Sequence, residues 1–210
     1  MIAFTSELPR SITIDGADYA INTDYRIMAE FERQIFICGN DRKKFARLIA
    51  ETVVKLFIDK PPLGNYGKVI KAMMEYYRCG KPIKKSADTP KTIKRYYDYN
   101  EDSDYIYAAF KQQYGIDLVS ADLHWWEFRA LFMGLTDATE IVKIMQYRGT
   151  DVNKIKNKAE KARIKKLQQR FALAEHNVRK FATLEERNAA FKQRIDERYK
   201  EVQEQLKNNK

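Results

Sequence analysis

The chain has 210 residues, 44% of them hydrophobic, which is enough for a genuine core in one ordinary domain or two small ones and excludes extensive disorder throughout. Lysine and arginine number 39 against 29 acids, and the resulting +10 favours anionic partners while equally serving solubility. Two distant cysteines, Cys38 and Cys79, and only two histidines exclude the usual zinc spacings; no stretch approaches the roughly 18 apolar residues of a membrane helix, so a soluble, cytoplasmic protein without cofactor is expected.

In chain order, Ile12 and Ile14 alternate before Asp15-Gly16, and a strand pattern resumes after it. That is a β-hairpin signal. Thr23 or Asp24 can cap a helix with Ile27, Met28, Phe31 and Ile35 on one face, ending near Cys38-Gly39. Asp41 caps a second helix through Leu48, Ile49, Val53 and Leu56, which stops before Lys60-Pro61-Pro62 because proline cannot continue it. A third helix runs through Val69, Met73, Tyr76 and Tyr77. The Gly64-Asn65-Tyr66-Gly67-Lys68 run at its start lacks the glycine spacing and the hydroxyl residue of a phosphate loop.

From Gly80 onward the chain turns polar, basic and proline-containing, which marks a boundary. The composition thus divides it into residues 1–80, a hairpin with a helical module; 81–98, a basic linker; 99–149, a second helical module; and 150–210, a basic helical extension. In the second module the acids Glu101, Asp102 and Asp104 precede a helix through Ile106, Ala109 and Phe110, where they suit the positive dipole end and are expected to be capping and solvated groups. Asp137 and Glu140 have capping-box spacing for a later helix carrying Ile141 and Ile144.

Between them lies the densest apolar stretch, Leu123 to Leu135, which holds both tryptophans. At helical spacing Leu123, Trp126, Ala130 and Met133 form one stripe and Trp125, Phe128, Phe132 and Leu135 another, which predicts a helix buried on more than one side and severe loosening on loss of Trp126. Ser120 or Asp122 is its expected cap, with His124 oriented within the core. In the extension, Val152, Ile155, Ala159 and Ala162 trace a thin stripe on a basic helix reaching about Leu173, and Leu184, Phe191, Ile195, Tyr199, Val202 and Leu206 trace a narrow seam on a long charged helix. The fold class is therefore mainly α: an N-terminal β-hairpin, packed helices and a long charged C-terminal helix.

The string from Asp104 to Phe110, the run Tyr114-Gly115-Ile116-Asp117-Leu118, and Leu123-His124-Trp125-Trp126 with Phe128 to Phe132 resemble the bacteriophage Gp-fifteen family of long-tailed phages and prophages. Ile21 to Arg26, Ile144 to Arg148 and Asp151 to Lys156 fit the same pattern, whereas the chain beyond Ala174 departs from it. The resemblance implies a tail-morphogenesis role: a non-enzymatic tail-assembly chaperone that binds the tape-measure protein before tail-tube subunits polymerise. It would work in the host bacterial cytoplasm and be absent from the mature virion. The tail-tube protein, a second chaperone and a second copy of the chain are the further partners to consider. No catalytic residue is carried over.

Helix-in-groove recognition would use the amphipathic stripes, so the candidate contacts are Ile155, Ala159, Ala162 and Leu167 together with Phe191, Ile195, Val202 and Leu206. Each stripe has the competing role of packing on the protein's own core. The alternative reading is a nucleic-acid-binding helical protein, suggested by basic runs such as Lys161 to Lys166; acids interrupt those runs, which weighs against it. No HExxH, nucleophile elbow or dinucleotide fingerprint is present.

Overall fold

The hairpin forms as Asp15-Gly16 predicts. In a computed structural model, which describes residues 7–39, 41–82 and 95–174, β1 (Ser11–Ile14) pairs antiparallel with β2 (Ala17–Ala20) in the register Ile14 to Ala17. Asp15 and Gly16 both take positive φ, 53° and 82°, the conformation a two-residue turn requires. The run that imitates a phosphate loop has a structural task here: Asn65 and Lys68 both bond the Asp15 carboxylate and tie the turn to the third helix.

Seven helices follow among the described residues: α1 (Tyr25–Cys38), α2 (Arg42–Leu56), α3 (Tyr66–Tyr77), α4 (Ser103–Tyr114), α5 (Trp125–Met133), α6 (Glu140–Gly149) and α7 (Lys158–Arg170). The fold is thus mainly helical with an N-terminal hairpin. Asp24 caps α1 by accepting from the Arg26 N–H, and Asp41 caps α2 by accepting from Lys43 and Lys44, as their positions in sequence suggest. These residues all belong to the first of two compact units, Met1–His176. The second unit, Asn177–Lys210, and with it the expected long C-terminal helix, lies outside the described residues.

One hydrophobic cluster runs from Ile12 in the hairpin to Ile141 in α6, so helices from both sides of residues 81–98 feed a single core. The starts of α1 and α5 are stitched together across about a hundred residues. Tyr25 N–H donates to the Leu123 carbonyl at 3.1 Å and Trp125 N–H to the Thr23 carbonyl at 3.0 Å, an isolated antiparallel bridge. Residues 95–98, basic-linker sequence by composition, carry Tyr97 and the buried Asp98 against this core.

The tryptophan helix departs from expectation in two ways. Within the helix only one of its stripes is enclosed: Trp125, Phe128 and Phe132 are buried, while Trp126 is half-buried, Ala130 is exposed and Met133 is 66% exposed; Leu123, buried, precedes the helix, and Leu135, half-buried, follows it. The apolar residues around its circumference disguise an ordinary amphipathic element. Its cap is His124, not Ser120 or Asp122, because the helix starts only at Trp125. The expected box at Asp137 also fails to form. Thr139 occupies the position before α6 without a side-chain cap bond, and its hydroxyl turns back to donate to the Thr136 carbonyl.

His124 uses both ring nitrogens. Nδ1 accepts from the Trp126 N–H at 2.9 Å, so Nε2 carries the proton and donates to the Pro9 carbonyl at 2.9 Å. Burial, the largest influence, holds its pKa below the usual 6.5. The unfolded chain therefore binds a proton near pH 6 that the folded chain refuses, so the contribution of His124 to stability is level above about pH 7 and falls as the pH drops through 6.5. The urea midpoint is expected to be lower at pH 5.5 than at pH 7.5 for this reason. His124→Asn, which keeps a capping acceptor without a titrating ring, should flatten that difference.

Candidate partner-binding surface

Two buried ionic clusters organise the residues around the functional candidates. The first centres on Glu32 of α1, 6% exposed, which accepts from Tyr77 Oη at 2.9 Å, from Tyr97 Oη at 2.5 Å and from Arg129 Nη1 at 3.2 Å. Arg129 Nη1 also reaches Tyr97 Oη and Tyr99 Oη, at 3.1 and 3.4 Å. Burial, reinforced by the Glu32 charge, pushes the Tyr97 phenol up to about 12 and raises Tyr77 and Tyr99 as well, so all three are hydrogen-bond donors under ordinary conditions. This cluster joins the segment leaving residue 95 to α1, α3 and α5.

The second centres on Arg148 at the end of α6. Its guanidinium grips Asp102 with two bonds of 2.7 and 2.9 Å, donates to the Tyr96 carbonyl at 2.9 Å and, through Nε, to the Phe171 carbonyl at 2.6 Å. Asp102, expected to be a solvated cap, is 2% exposed and makes no side-chain cap bond. Asp102 departs from expectation because its partner Arg148 lies 46 residues away in sequence, whereas Glu101 and Asp104 are exposed as their position suggests.

Arg148 thereby fixes the end of α7. Gln168 Nε2 adds bonds of 2.8 Å to both the Tyr147 and Thr150 carbonyls, and the Phe171 ring faces Tyr147 and Tyr105 at 6.4 and 6.3 Å. The helix itself begins later than its sequence stripe suggests. Val152–Lys154 forms a 3-10 turn, and α7 starts at Lys158 with Asn157 accepting from the Ala159 and Glu160 N–H groups.

That shift in phase redistributes the sequence candidates. Ile164 is the buried residue of α7, at 6% exposure; Ile155 and Leu167 are half-buried, and Ala159 and Ala162 face solvent. The four do not make one apolar stripe. Phe191, Ile195, Val202 and Leu206 lie outside the described residues. The basic character expected of this region is concentrated here: between Asp151 and Arg170 stand eight lysines and arginines against two acids, a net +6 of the chain's +10.

An open groove of about 540 Å³ lies between α1 and α4, with Tyr25, Ala29, Ile106 and Phe128 among its lining. Its arginines are already committed. Arg26 donates to Asp24 and to the carbonyls of Leu118, Val119 and Ala121, and Arg33 makes two bonds to Glu30. Among the described residues no group of three His, Cys, Asp or Glu side chains can hold a metal ion, and no helix is long and apolar enough to cross a membrane.

The family model described as bacteriophage Gp15 protein matches residues 4–173. The chain belongs to this family. The match spans every described element of the Gp15 chain from the hairpin to the end of α7, and it stops where the sequence was read as departing from the family pattern. It is therefore a phage protein. No curated protein and no solved structure matches it.

Proposed function

We propose that this Gp15 protein is a tail-assembly chaperone that covers helices of the tape-measure protein before tail-tube subunits polymerise around them. The observation that carries the reading is membership of the family over residues 4–173, together with the tail-morphogenesis role that the sequence resemblance implies. The molecule acts by binding, not by catalysis. Its strongly perturbed tyrosines and Arg129 are committed to the Glu32 cluster, which is a structural use of such groups.

Tape-measure helices expose apolar seams that aggregate when uncovered, and a helical protein with small apolar contacts amid charges covers them reversibly. Recognition of this kind leaves the tape-measure protein free to be handed to the tube. Co-expression with the tape-measure protein of the same genome is expected to raise the partner's soluble fraction and to yield a complex on affinity capture of the chaperone. Unaltered solubility with no recovered complex would contradict the proposal.

A further inference from the structure

The solvent face of α7 has a pattern of its own. With Ile164 turned inward, the helical advance of 100° per residue places Lys158 and Lys165 along one edge and Arg163 and Arg170 along the other. Each pair is seven residues apart, about 10.5 Å at 1.5 Å per residue. Between these edges the crest carries Ala159, Ala162, Lys166 and Gln169, all exposed.

The edges are largely unneutralised. Glu160, the only acid within α7, bonds Arg163 at 2.8 and 2.9 Å, and among the described residues Lys158, Lys165 and Lys166 have no carboxylate partner. Arg170 rests its guanidinium over the Phe171 ring, 5.2 Å from the centroid, which leaves its charge outward. The first half of the face is a low, small-residue ridge at Ala159 and Ala162, its second half carries Lys166 and Gln169, and two positive rails flank it.

We propose that this face docks an acidic amphipathic helix of a partner protein, which sets its seam on the Ala159–Ala162 crest and its carboxylates against the two rails. The small crest residues let a second helix approach to the 8–10 Å of ordinary helix packing, and rails one heptad long match carboxylates at the flanking positions of a heptad. In naming the tape-measure protein as the source of that helix, the inference rests on the function proposed above.

Nucleic acid fits the face less well. A helix that reads a duplex groove needs hydrogen-bonding side chains along its crest, whereas the first half of the α7 crest offers the methyl groups of Ala159 and Ala162, and its polar groups are confined to Lys166 and Gln169 in the second half. Single strands need aromatic platforms, and the solvent arc of α7 carries none. Fixing the helix by Arg148 and Gln168 at its far end presents both rails as a rigid surface.

The test uses the full-length chain and two double variants. Lys158→Glu with Lys165→Glu reverses one rail; Ala159→Gln with Ala162→Gln raises the crest while keeping the charge, and all four sites are exposed, so far-UV circular dichroism should be unchanged. Affinity for the tape-measure protein of the same genome is expected to fall about tenfold or more in each variant, and in the wild type between 50 and 300 mM salt. If the wild type binds and either variant binds equally well, the docking surface is wrong while the chaperone function stands. Failure of the wild type to bind overturns both. A duplex of about 20 base pairs is titrated in parallel: tight, steeply salt-dependent binding that only the charge reversal abolishes makes the face a phosphate-binding surface and overturns the inference.

Discussion

Trp125→Ala is expected to lower the unfolding free energy by about 3–5 kcal/mol, the largest effect of any single truncation in α5. The indole is fully enclosed, stacks near-parallel on Tyr77 and Phe128, lies beneath the Arg129 guanidinium, and donates from Nε1 to the Tyr77 carbonyl at 2.9 Å. Truncation therefore opens a cavity and leaves the Tyr77 carbonyl with only the weak Cys79 thiol as a donor. Trp126 also donates to a carbonyl, that of Tyr76, yet it is only half-buried, and its loss is expected to cost about 2 kcal/mol from partial burial and one hydrogen bond. Urea midpoints followed by far-UV circular dichroism, which does not depend on the tryptophan removed, rank the two. Equal losses would mean that both faces of α5 are buried after all.

Arg129→Met is expected to destabilise the protein by about 3–5 kcal/mol, because it leaves the Glu32 carboxylate enclosed without its cation. The two phenols that donate to Glu32 remain, so the loss should fall toward the lower end of that range. The double change Arg129→Met with Glu32→Gln should recover part of the loss, since no uncompensated charge remains. Recovery in a double-mutant cycle distinguishes the ion pair from simple loss of the arginine stem. If the double variant is as unstable as the sum of the single ones, the pair contributes no coupling and the cluster is held by packing.

Much of the fold was legible because its signals are local. Asp15-Gly16, Asp24, Asp41, Gly39 and Gly115 mark turns, caps and helix ends within a few residues of the structures they control. The errors share a different cause. Periodicity shows which residues of α5 share a face but not which face meets a neighbour, so Trp126 and Trp125 looked equivalent until α3 and α1 were placed around them. Asp102 looked like a solvated cap because its partner Arg148 arrives from α6, and His124 looked like a core residue because its acceptor, Pro9, arrives from before the hairpin.

The same limit governed the candidate surface. A stripe drawn from Ile155 through Ala159 and Ala162 assumes an unbroken helix, and the 3-10 turn at Val152–Lys154 with the Asn157 cap resets its phase. The two alanines then belong to the solvent crest and Leu167 to the inner flank. The basic residues of this region, by contrast, could be counted from sequence; what could not be seen was their division into two rails.

The most direct test of the function is a timed assembly reaction: capture the tape-measure protein before and after tail-tube subunits are added, and measure the amount of this chain that comes with it. The chaperone reading requires stoichiometric recovery beforehand and loss as the tube polymerises. A chain that never accompanies the tape-measure protein, or that stays on it in the finished tail, would contradict that reading.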